Sequence, residues 1–117
     1  MASNGYNVQQ HFDKSSPAIA ATYARILEAS GKLGPFTEEA KKTSIHLVRR
    51  TAFAGVATRK TALILTLKSD SDRKSKRIAR REQASANRWH LEIRLETPDQ
   101  VDTELVSWIE RAYELAE

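Results

Sequence analysis

The chain has 117 residues, 40% of them apolar and 29% charged, with four glycines, three prolines and no cysteine. This is the balance of one globular domain with a single core, and it excludes low-complexity and collagen-like chains, disulfides, thiol catalysis and cysteine-ligated metals. The net charge of +4 hides a split: residues 41–94 carry fifteen Lys and Arg against four acids, and residues 95–117 carry seven acids against one Arg.

No uncharged apolar run approaches the ~20 residues of a membrane-spanning helix. Residues 1–10 lack the basic start and apolar block of a secretory signal. The expectation is a soluble, cytoplasmic domain with no membrane partner.

Residues 1–14 show no sustained period and read as an N-terminal arm, with His11-Phe12 as its anchor. The single domain then runs over 15–117. Ser15-Ser16-Pro17 is a helix start, since serine caps free N–H groups and proline needs no donor in the first turn. Ile19, Tyr23, Ile26 and Leu27 follow at i, i+4, i+7 and i+8 and form one apolar stripe, predicting a helix over 17–30. Gly31 is its natural stop.

Three short apolar runs follow at 45–48, 53–57 and 62–67, separated by basic or threonine-rich joints. The gaps are too short for crossover helices, so the runs predict antiparallel hairpins. An extra strand is foreseen near 36–39. Gly55, inside a strand, points to a bulge or a close backbone approach. Residues 69–87 break the pattern. Ser69-Asp70-Ser71-Asp72 is a turn and cap signal, and six of the nine residues 73–81 are positive, which predicts a basic loop or short helix. Alternation returns at 89–96: Trp89, Leu91, Ile93 and Leu95 share one face, and His90, Glu92, Arg94 and Glu96 the other.

Thr97-Pro98-Asp99-Gln100 has the residues of a capping box and starts the last helix. Val101, Leu105, Trp108, Ile109, Ala112 and Tyr113 form its stripe. The fold class is therefore α+β in the order α-β-β-β-β-α, an antiparallel sheet with two helices packed on one face.

Enzyme signatures are sparse, and the pattern leans away from catalysis and calls for no cofactor. No two of His11, His46 and His90 have the helical spacing of a metal site. Parity points His46 and His90 away from the core, and they would face each other if their strands were neighbours. Together with Trp89 they mark a minor alternative, a small-ligand or acid–base site. Glu39-Ala40-Lys41 matches half of a metal-dependent nuclease site, but its acidic partner is missing. No phosphate-binding glycine loop or nucleophile elbow is present.

Basic residues are the strongest signal. Lys41, Lys42, Arg59 and Lys60 lie at strand joints, where they could gather into a positive rim. Arg73, Lys74, Lys76, Arg77, Arg80 and Arg81 supply a dense cluster that could clamp phosphates. The leading expectation is an anion-binding module, nucleic acid being the foremost partner. Its rival is an oligomerisation or protein-interaction module in which the basic middle meets the acidic last helix (Glu104, Glu110, Glu114, Glu117) of another subunit.

His11-Phe12, Lys41-Lys42, Phe53-Ala54-Gly55-Val56, Arg59-Lys60, Trp89-His90 and the pair Asp99 and Asp102 occur in an order that resembles a bacterial domain family of unknown function, sometimes labelled "predicted transport protein". The resemblance spans about residues 11–113. It implies a small α+β domain, without an established reaction, whose polar site would comprise Lys41, Lys42, Arg59, Lys60 and His90.

Overall fold

The computed structural model describes residues 6–117. After a 3-10 turn over Gln9–Phe12 come helix α1 (Pro17–Gly31), strands β1 (Thr37–Ala40), β2 (Ile45–Val48), β3 (Ala52–Thr58), β4 (Leu63–Ser69), β5 (Ile78–Ser85) and β6 (Arg88–Leu95), a 3-10 turn over Pro98–Gln100, and helix α2 (Thr103–Leu115). The six strands form one antiparallel sheet in the order β1-β2-β3-β4-β6-β5. The first four make a meander of hairpins. The chain then skips a place, lays β5 at the far edge and returns with β6 between β4 and β5.

The architecture is α+β, as the sequence predicts, with one strand more than foreseen. Residues 78–85, expected as loop or short helix, are β5. Only Ile78 of this strand is buried, so no alternation marks it in the sequence. Pairing with β6 holds it, with register shifts at 78/80 and 83/85. Its exposed Arg80, Arg81 and Glu82 suit a sheet edge, where charge discourages pairing with other chains.

Both helices cover one face of the sheet. Ile45, Leu47, Val56, Leu63, Leu65, Leu67, Leu91, Ile93 and Leu95 point into this layer and are fully or almost fully buried. They meet Ile19, Tyr23 and Ile26 of α1, and Leu105, Trp108, Ile109, Ala112 and Tyr113 of α2. These are the stripes read from the sequence. Each buried Leu or Ile contributes about 1.5–3 kcal/mol over its exposed state, so this layer dominates stability.

The last helix begins later than expected. Pro98–Gln100 form only a 3-10 turn, in which the Gln100 side-chain oxygen accepts from the Thr97 N–H at 3.1 Å. The chain then leaves helical geometry at Val101, whose side chain is buried, and Asp102 starts α2 afresh by accepting from the Leu105 N–H at 3.0 Å. A second cap close behind the first thus sets the true start. At the other end of the chain, α1 stops at Gly31, but the glycine with positive φ (151°) is Gly34. There the Tyr113 hydroxyl occupies the space a Cβ would need and donates to the Pro35 carbonyl at 2.8 Å.

Of the expected N-terminal arm, residues 1–5 lie outside the described residues. The rest is docked: Phe12 packs on Tyr23 with ring centroids 5.1 Å apart, and His11 Nε2 lies 2.8 Å from the Lys41 carbonyl oxygen.

Candidate anion-binding face

The helices leave the second face of the sheet uncovered, and strand register sets which side chains meet there. One row runs Glu39, His46, Gly55, Thr66, Glu92 and Arg80 across all six strands. The next row places His90 between Lys68 and Glu82. On this face β3 offers little bulk, since its positions there are Ala52, Gly55 and Ala57. A trough of about 270 Å³ follows β3, rimmed by Ser44, His46, Thr66, Lys68 and His90.

Gly55 forms part of the floor. A Cβ there would meet His46 Cδ2 and Thr66 Cβ at 3.9 Å each, ordinary contact distances. Gly55 has no positive φ either, so the backbone does not require glycine at this position. Its consequence is depth. The bulge foreseen at this residue lies instead nearer the start of β3, where the register shifts between Leu47 and Val48 of β2 and the buried Phe53 is the extra residue.

Charge on this face is unevenly neutralised. Glu82 and Glu92 pair with Arg80 at 3.5 and 3.9 Å, Glu39 with Lys41 at 3.4 Å and Glu96 with Arg94 at 3.2 Å. Among the described residues, Lys68 and Arg88 have no carboxylate partner. Lys68 donates to Thr51 Oγ1 at 3.0 Å, and Arg88 to the carbonyl of its neighbour Asn87 at 2.9 Å. Burial, and then the Arg88 guanidinium, push the Lys68 amine below the ordinary lysine value. An anion arriving at this end of the trough would relieve that repulsion.

His46 and His90 do share the open face, as their parity predicts. They are not neighbours. β3 and β4 lie between their strands, which puts them about 14 Å apart across the sheet. Both nevertheless rim the same trough. Trp89, grouped with them from the sequence, faces the other way and packs partly buried against the core.

The other residues expected at a site are dispersed. Lys41 and Lys42 sit in the β1–β2 turn, and Arg59 and Lys60 in the β3–β4 turn, so these four share one end of the sheet. Lys68 and Arg88 lie toward the opposite end. The run 73–81 divides three ways. Arg73 and Arg77 turn to the helical side, with guanidinium carbons 5.5 and 5.9 Å from the Trp108 ring centre. Arg77 also bonds Asp102 at 2.8 Å, Glu104 at 3.1 Å and the Gln100 carbonyl. Arg81 pairs with Asp72 at 2.8 Å, and Arg80 serves Glu82 and Glu92 on the open face. Arg73, Lys74 and Lys76 of this cluster have no ion pair among the described residues, and of the three Arg73 rests on the Trp108 ring.

Sequence reasoning missed Lys68, Arg88 and Thr66. The signal was present in β4, where Ile64, Thr66 and Lys68 alternate with buried Leu63, Leu65 and Leu67. Glu39, of the nuclease-like motif, is engaged by Lys41, and no group of three or more His, Asp and Glu able to hold a metal occurs among the described residues. Among those residues, too, no helix is long and apolar enough to cross a membrane.

No curated protein and no solved structure matches the chain. One family model does match, over residues 8–116, and its extent covers the helices, the whole sheet and every residue of the trough. The chain belongs to the domain of unknown function DUF5655.

Proposed function

We propose that this domain binds an anionic partner, nucleic acid, and that its contact surface is the open face of the sheet. The observation that carries this reading is Lys68 at one end of the trough with Arg88 close beside it, two cations without an ion pair among the described residues, next to a rim that carries two imidazoles and two hydroxyls. Phosphates gain most from charges not already spent within the protein. The trough follows the seven-residue β3, about 23 Å at the rise of an extended strand, so a chain of several phosphates fits along it. Lys42 and Lys60, at the far turns, extend the positive track. A cytoplasmic setting, where nucleic acid is met, goes with this reading. The rival self-association reading loses support because Glu104 and Glu114 of the acidic helix are already paired with Arg77 and Arg111.

The test is fluorescence anisotropy with labelled DNA and RNA at two salt concentrations. The double variant Lys68→Ala/Arg88→Ala should bind at least tenfold more weakly, with the salt slope reduced by about 1.4 for two lost single-strand phosphate contacts. Lys74→Ala/Lys76→Ala is the control and should retain most of the affinity. Equal losses in both doubles would reduce the open face to one more patch of general positive charge, and unchanged binding in the first would remove it from the mechanism.

A further inference from the structure

The open face offers a track for phosphates, but the trough has features that a phosphate chain alone does not use. We propose that it is a seat for a single unpaired nucleotide, with the base lying flat over Gly55 and its phosphate held by Lys68, Arg88 and His90. This inference rests on the anion-binding reading and names the ligand class.

Three observations converge. First, the floor is low and largely apolar, being β3 with the small residues Ala52, Gly55 and Ala57, while the rim is polar. A low apolar floor under a polar rim suits a planar ring whose edge carries hydrogen-bonding groups. His46 and Thr66 flank Gly55 with His46 Cδ2 and Thr66 Cβ nearest to it, so a ring over the glycine lies between an imidazole and a threonine side chain. Second, the unneutralised cations lie at one end only. The Thr66 and Lys68 rows are two residues apart, about 7 Å along the strand, a distance that the sugar of one nucleotide bridges. Third, a volume of about 270 Å³ lies just below the usual range for small-molecule sites. It accommodates one ring system, not a stack of bases.

The geometry also selects strandedness. A duplex presents its phosphates outward and keeps its base faces stacked, so it can touch the cations but cannot reach the floor. An unpaired base can, with the sheet backbone under one face taking the place of a stacking neighbour. The preference for single strands therefore resides in the depth that Gly55 leaves, and the general attraction resides in Lys68 and Arg88. These two contributions are separable by substitution.

The experiment is an NMR titration of the full chain, reading backbone amides and histidine ring protons. The probes are adenosine 5′-monophosphate, cytidine 5′-monophosphate and inorganic phosphate, each taken to about 10 mM. The expected result is saturable shifts from both nucleotides at Gly55, Thr66, His46 and His90, with phosphate alone confined to the Lys68 and His90 end. Gly55→Leu fills the trough from a position with ordinary surroundings. It should abolish the nucleotide shifts, retain the dispersed spectrum of the folded chain and weaken single-stranded oligonucleotide binding about tenfold, leaving duplex binding unchanged.

The seat is refuted if nucleotides shift nothing in the trough, if phosphate alone reproduces the whole pattern, or if Gly55→Leu binds single strands as well as the parent does. Oligonucleotide binding lost in Lys68→Ala/Arg88→Ala without nucleotide shifts in the trough would sink the seat and leave the nucleic-acid reading intact. Nucleotide shifts without oligonucleotide binding would do the reverse, and make the trough a mononucleotide site.

Discussion

Two regions of this molecule concentrate positive charge, the segment 73–81 and the Lys68–Arg88 end of the open face, and they use it in opposite ways. The first is much denser, yet most of its charge is spent at home. Arg73 and Arg77 stack on Trp108, Arg77 joins Asp102 and Glu104, Arg81 meets Asp72, and Arg80 holds Glu82 and Glu92. The second region has only two cations, and neither forms an ion pair among the described residues, although the Arg88 charge helps to hold the Asp70 carboxyl low. Charge density along a chain thus measures supply, whereas binding depends on what remains after the fold has taken its share. In this chain Arg77 ties the basic middle to Asp102 and Glu104 at the start of α2, and Arg111 of α2 pairs back to Asp70 in the β4–β5 connection.

The largest effect that would break this contrast lies at Trp108. Its ring is almost buried and forms the platform for both Arg73 and Arg77, so Trp108→Ala removes core volume and the docking site of residues 73–77 together. A loss of about 4 kcal/mol is expected, typical of Trp or Phe truncation in a core, measured by urea unfolding. Hydrogen exchange should also rise first across residues 73–85. If exchange there stays as slow as in β4 and β6, the segment is held by something other than Trp108, and its structural assignment falls.

The sequence made some of this legible and hid the rest for physical reasons. Elements with one buried face announce themselves: the stripes of both helices and the alternation of Trp89, Leu91, Ile93 and Leu95 correspond to burial in the structure, with Trp89 only partly buried. β5 has almost no buried face, and its existence depends on backbone pairing with a strand that comes later in the chain. No local pattern encodes that. The outward parity of His46 and His90 was readable, but their separation depends on β3 and β4 lying between them, a property of topology. Lys68 shows the same limit. It looks like one lysine among many until β6 is set beside β4 and brings Arg88 to it.

A middle-sized effect tests the structural region by pH. The Leu105 N–H and then the Arg77 guanidinium hold the Asp102 carboxyl below its ordinary value, and the Arg111 guanidinium does the same to Asp70. Because the folded-state values are the lower ones, both carboxylates contribute stability that is complete above the unfolded value near 3.8 and lost as pH falls through the folded values. The unfolding free energy should therefore drop on acidification below about pH 4. Asp102→Asn retains an acceptor for the helix cap but loses the charge facing Arg77. It should cost about 1 kcal/mol at pH 7 and flatten the acid slope. A slope identical to that of the parent chain would remove the Arg77–Asp102 link from the account of stability.

The smallest expected change carries the sharpest test of the second region, because its sign is unusual. A lysine whose folded-state value is depressed binds its proton less readily in the fold than in the unfolded chain. Between the depressed value and the ordinary 10.5, the unfolded chain therefore holds more protons, and stability rises with pH. At pH 7 the protonated amine is carried against burial and against Arg88. Lys68→Met keeps the length of the side chain and removes that burden, so the urea midpoint should hold or rise slightly, a change within about 0.5 kcal/mol. In the same experiment Arg77→Met should lose stability outright, since Asp102, Glu104 and the Gln100 carbonyl lose their shared partner. A cation that the fold would be as stable without is one retained for something outside the fold, and an anion at the trough is the partner its position fits. Should Lys68→Met destabilise the chain as Arg77→Met does, the two regions would be alike, and the open face would lose its claim to be the binding surface.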